Sequence, residues 1–122
     1  MTTTGSTVND LTSLRDELRQ FASERDWDQF HSPKNLASAL AVEAAELLEP
    51  FQWLTGAQSQ TLSPQQLEQV RKEMADVFLY LIRLADKLDV DLISSARAKI
   101  HENATKYPVE KVKGSSRKYT DL

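Results

Sequence analysis

A chain of 122 residues fits one domain, and 40% hydrophobic against 27% charged residues is an ordinary globular balance. The net charge of −3 argues against nucleic-acid binding driven by phosphate neutralisation, and the lack of cysteine excludes disulfides and thiolate metal sites. No apolar run is long enough to span a membrane and no signal-peptide pattern is visible, so a cytoplasmic protein is expected.

Residues 1–7 are small and polar and read as a disordered N-terminus. Leu11, Leu14, Leu18 and Phe21 then recur at helical spacing, which predicts a first helix over Val8–Glu24 with a plain core stripe. Arg25–Ser32 is a connector carrying Trp27, Phe30 and His31 among charges. Its rings either pack over the helix ends or form a lid that stacks on a flat ligand; His31 by itself reads as a hydrogen-bonded structural histidine.

Ser32-Pro33 is a helix start, with serine at the N-cap and proline in the first turn. The second helix is expected over Pro33–Glu49, ended or kinked by Pro50 and followed by the aromatic pair Phe51 and Trp53. A polar loop over Thr55–Leu62 leads to Ser63-Pro64-Gln65-Gln66, a capping box opening a third helix over Pro64–Leu88. Its expected stripe is Leu67, Val70, Met74, Val77, Phe78, Leu81, Ala85 and Leu88, with Glu73, Asp76 and Tyr80 along one flank. A tight turn at Asp89–Asp91 precedes a fourth helix over Leu92–Tyr107, stopped by Pro108. Leu92, Ala96, Ile100 and Tyr107 are expected inward, while Lys99, Asn103 and Lys106 share one face. Residues 8–108 therefore form the domain, and 109–122 read as a mobile polar tail. The expected class is all-α.

The second and third helices each carry two acids three residues apart, Glu43 with Glu46 and Glu73 with Asp76. Glu43 lies in register with Leu36, Leu40 and Leu47, and Glu73 with Val70, Val77 and Leu84. A single glutamate in an apolar stripe is ordinarily read as sitting at the stripe edge. The same costly placement on two helices reads instead as a site, because carboxylates turned inward need a cationic partner. An oxygen-only donor set selects a hard divalent ion, Mg²⁺ or Mn²⁺, and Mg²⁺ is commonly completed by substrate phosphates. A nucleotide ligand then suits the flanking aromatics Trp27, Trp53 and Tyr80, with Lys99 and Lys106 suited to phosphate. A di-iron carboxylate bundle would want Glu-x-x-His, which neither helix supplies. A non-catalytic nucleotide-binding or helical dimerisation module is the alternative on the same scaffold.

The arrangement E-x-x-E, a gap of 26 residues and E-x-x-D resembles the MazG-like nucleoside triphosphate pyrophosphohydrolases. Within them the chain looks most like the short single-domain branch that includes the dCTP pyrophosphatases and integron-associated MazG proteins. The blocks that carry the resemblance are Asp26–Asn35, Glu43–Trp53, Glu73–Leu81 and the run Lys99, Asn103, Lys106-Tyr107-Pro108. The resemblance implies a four-helix core assembled as a dimer or dimer of dimers, and Mg²⁺-dependent hydrolysis of (deoxy)nucleoside triphosphates, dCTP foremost, to monophosphate and pyrophosphate. It implies that Glu43, Glu46, Glu73 and Asp76 hold the metal and carry catalysis. It also implies that Trp27, His31, Trp53 and Tyr80 line the base and sugar pocket, and that Lys99 and Asn103 reach the nucleotide. Val42 departs from the wider family, which often has a glutamate before the first ligand position.

Overall fold

The computed structural model of the protein describes residues 10–116. Among them every regular element is helical: α1 (Leu11–Glu24), α2 (Pro33–Leu48), α3 (Gly56–Ser59), α4 (Pro64–Lys87), α5 (Leu92–Lys106) and α6 (Val109–Val112). Short 3-10 turns at Asp28–Phe30 and Glu49–Phe51 complete the set. The chain divides after Asp89 into two compact units, the first holding α1 to α4 and the second α5 and α6.

The helix starts follow their caps. Asp10 is extended and its carboxylate accepts from the Ser13 amide, so α1 begins at Leu11 rather than at Val8. Ser32 caps α2 through the Asn35 amide, and Ser63 and Gln66 form the reciprocal box that opens α4. Pro50 sits inside the 3-10 turn that succeeds α2, whose last residue is Leu48 rather than Glu49. The expected polar loop contains a helical turn, α3, opened by a second capping box between Thr55 and Gln58. Asp89 ends the first unit in the left-handed region at φ 55°, and α5 begins from an Asp91 cap.

In the first unit α4 is the central element and packs against α2, α1 and the 3-10 turn after α2. The buried apolar residues of this unit come from its three long helices: Ala22, Leu36, Val70, Ile82 and Ala85. Arg19 of α1 clamps Asp86 of α4, Nε to Oδ2 at 2.7 Å. The expected stripe of α4 holds only in part. Leu67, Met74, Phe78 and Leu81 are exposed in the single chain, while Ile82 and the charged Arg83 are buried. Val70 and Ala85 keep the expected register, and Arg83 is buried beside them because it finds partners in the Arg25–Ser32 connector. In the second unit Ile100, expected inward, is 70% exposed. The disordered N-terminus expected over residues 1–7 lies outside the described residues, as do residues 117–122 of the expected tail.

Leu36 is 1% exposed and anchors the helix that bears Glu43 and Glu46. Leu36→Ala should cost about 3 kcal/mol, read as a lower urea midpoint with an unchanged denaturant slope.

Candidate active site

The contact between α2 and α4 brings the acids together. One carboxylate oxygen from each of Glu43, Glu73 and Asp76 lies within 4.8 Å of the others. Glu46, one turn beyond Glu43, adds its charge to this group and opposes ionisation of both Glu43 and Glu73. Glu43 Oε2 and Glu73 Oε2 are buried and have no hydrogen-bond partner among the described residues. Burial first, and then the neighbouring Glu46, Asp76 and Glu73, push the Glu43 carboxyl up to about 7. The Glu73 carboxyl is pushed up for the same reasons, burial ahead of Glu46, Asp76 and Glu49.

These are the features of a cation site. Two orphaned buried oxygens cost free energy unless something else ligates them, and among the described residues of the first unit no lysine or arginine is paired with any of the four acids. The donors are all carboxylate oxygen, which suits a hard divalent ion. The acidic group therefore points to a divalent metal.

Asp76 also faces a cavity of about 240 Å³, lined with it by Leu18, Phe21, Trp27, His31, Tyr80 and Arg83 among others. Asp76, Tyr80 and Arg83 share it because offsets of four and seven residues fall on one face of α4. The connector reaches the cavity through a left-handed Asp26 at φ 55°, whose backbone and side-chain oxygens both accept from Gln29 Nε2 at 3.0 Å. Trp27 is then set edge-on to Phe21, ring centroids 5.7 Å apart, and Arg25 covers the Phe21 ring. The stripe of α1 is thus not plain core, since Leu18 and Phe21 form cavity wall.

Two further residues, Asp28 and Lys87, were not singled out by sequence reasoning, nor was Arg83. Asp28 accepts from both Arg83 and Lys87, and these cations, Lys87 foremost, hold its carboxyl below the usual range. Arg83 Nε donates to His31 Nδ1 at 3.1 Å. The available signal was the position of Arg83, seven residues after Asp76 and three after Tyr80.

Trp53 is 87% exposed and does not line the cavity. Lys99 and Asn103 belong to the second unit, where Lys99 pairs with Glu102 at 3.4 Å and the Asn103 carbonyl accepts from the Tyr107 amide. Lys106 pairs with the same Glu102 at 3.3 Å.

The chain matches the MazG-like family over residues 39–122. It is 42% identical over 118 residues to dCTP pyrophosphatase 1 of Homo sapiens and of Rattus norvegicus, spanning 95% of this chain and 68% of each relative. It is also similar to the crystal structure of a pyrophosphatase from Archaeoglobus fulgidus, with a TM-score of 0.73 and 37% identity over 83% of this chain and 94% of that one.

The carboxyls raised by burial fix a pH dependence. An acid whose folded pKa exceeds its unfolded value holds more protons when folded, so stability falls as pH rises between the two values. For Glu43 that window runs from the ordinary glutamate value of 4.5 to about 7. In chelator the protein should lose stability across this window, and Glu43→Gln should flatten the loss; urea midpoints at either end read both.

Proposed function

The chain belongs to the MazG-like family, and we propose that it hydrolyses deoxynucleoside triphosphates to the monophosphate and pyrophosphate, with dCTP the leading substrate and Mg²⁺ the metal. The observation that carries this reading is the junction of two sites at Asp76. On one side are carboxylates with orphaned buried oxygens, and on the other a cavity walled by aromatic rings. A triphosphate and a base are joined in the same way, a highly charged end next to a flat apolar one.

Glu43, Glu46, Glu73 and Asp76 would hold the ion. Bound there, Mg²⁺ neutralises phosphate charge and acidifies water. The chain's own residues supply the rest. Trp27 and Tyr80 bound the base, His31 offers its edge a hydrogen bond, and the half-exposed Trp27 ring keeps bulk water from one side. The water oxygen bonds to phosphorus as the bridging phosphorus–oxygen bond breaks, and pyrophosphate leaves with that electron pair. Glu43 or Glu46 accepts the water's proton. Lys99 and Asn103, with Trp53, complete the nucleotide contacts that the resemblance implies.

Assembly as a dimer or dimer of dimers is part of the proposal. Val42, Leu48, Leu67, Met74 and Phe78 leave large apolar side chains exposed on the two helices that carry the acids, more than a single chain of this size covers for itself. No described helix is long and apolar enough to cross a membrane, and a cytoplasmic role in clearing surplus or non-standard nucleotides fits that.

The test is pyrophosphate release from a panel of nucleoside triphosphates with Mg²⁺ and with chelator. Release should require the metal and be strongest for a cytosine deoxynucleotide. Glu43→Gln and Asp76→Asn should each lower kcat at least about a hundredfold while the helical circular-dichroism signal is kept. Nucleotide binding without turnover would favour the non-catalytic module.

A further inference from the structure

We propose that Arg83 is a positioning residue that holds His31 as its neutral Nε2–H tautomer, so that the cavity reads the base through a hydrogen-bond donor and selects a base whose pairing edge has an unprotonated ring nitrogen at its centre. The inference deepens the proposed function and rests on its reading of the cavity as the base site.

The geometry leaves one protonation state. A guanidinium has only donors. Arg83 Nε stands 3.1 Å from His31 Nδ1, so Nδ1 must present its lone pair. A proton on Nδ1 would set two N–H groups against each other beside a fixed positive charge. The single proton of the neutral ring is therefore on Nε2, for which the described residues provide no partner, and the ring lines the cavity.

Arg83 cannot easily turn away. It is 7% exposed, and its other nitrogens are engaged by Asp28 and by Asp86 Oδ2 at 3.5 Å. Asp86 is in turn held by Arg19 from α1, so three segments converge on one guanidinium. The histidine is fixed from its own side as well, because its backbone amide closes the 3-10 turn on the Asp28 carbonyl at 3.1 Å. The other charged or titratable groups around the ring act in the same sense on balance. Burial, Arg83 and Lys87 all disfavour the imidazolium, Asp28 opposes them, and Asp76 and Tyr80 share the cavity wall.

The consequence is a selection rule. An Nε2–H donor pairs with an unprotonated nitrogen at the centre of the pairing edge, N3 of cytosine or N1 of adenine. Against thymine, uracil or guanine it meets a ring N–H at the central position of the pairing edge, where two donors oppose each other. A mobile histidine could switch tautomer and accept either edge; one locked by Arg83 cannot.

The experiment is nitrogen-15 spectroscopy of the histidine rings in the full-length chain at neutral pH, with nucleotide kinetics on the same samples. The chain has two histidines, and His31 is assigned by the signal that His31→Gln removes. The expected spectrum shows Nδ1 unprotonated and Nε2 protonated. Arg83→Met should yield mixed tautomers and raise KM for the preferred nucleotide on the order of tenfold with kcat changed much less, while Arg83→Lys, which keeps a donor, should recover part of the loss. An active wild-type enzyme with the proton on His31 Nδ1, or with a charged ring, would overturn this inference and leave the proposed function standing. So would an Arg83→Met variant with unaltered tautomer and KM. A wild-type chain that hydrolyses no nucleotide would overturn the proposed function and this selection rule together. Because the wild-type spectrum decides the tautomer alone, the inference stays testable even if Arg83→Met does not fold.

Discussion

Carboxylates from α2 and α4 are forced into one small volume by the packing of those two helices, with one oxygen each of Glu43 and Glu73 buried and unpartnered. Left alone, such an arrangement works against the fold, since burial and mutual repulsion both oppose ionisation. The rest of the first unit is arranged so that the helices meet there anyway. Leu36 and Val70 seat the acid-bearing stretches, serine caps fix where each helix starts, and α4 runs uninterrupted from Pro64 to Lys87. Local stability at the carboxylates is given up so that a divalent ion gains a prepared set of oxygen ligands.

Next to that set, the protein places a second group of charges that behaves in the opposite way. Arg83, Lys87, Asp28, Asp86 and Arg19 are paired with one another, and the pairing lets an arginine be buried between α4, α1 and the connector. A buried guanidinium without such partners would be strongly destabilising. With them it becomes a fixed donor behind His31. The cavity therefore has an apolar aromatic wall and a rigid polar edge, the combination a small-molecule site needs for affinity and for selection.

Much of this was legible in the sequence where the signal was local and repeated. The Ser-Pro starts of α2 and α4, the apolar periodicity and the two acid pairs on one face each mark out the helices and the pairing of Glu43 and Glu73 across them. Less legible were features set by tertiary partners. Arg83 lies on a helix face that charge alone would assign to solvent, and Asp28 and His31, more than fifty residues earlier, join Asp86 in making its burial tolerable. The Thr55–Gln58 box produced a helical turn inside a stretch with no apolar periodicity to announce it. Ile100 shows the limit of reading side-chain direction from spacing, since it is largely exposed in the single chain.

The central claim is that the carboxylates exist to hold a divalent cation at the mouth of a base-binding cavity. Calorimetric titration of Mg²⁺ into chelator-treated protein near neutral pH, repeated in buffers of different ionisation enthalpy, tests it most directly. The account predicts saturable binding accompanied by proton release, because Glu43, pushed up to about 7, must give up its proton to ligate. Absence of saturable binding, or binding that leaves the proton count unchanged and survives Glu43→Gln, would contradict it.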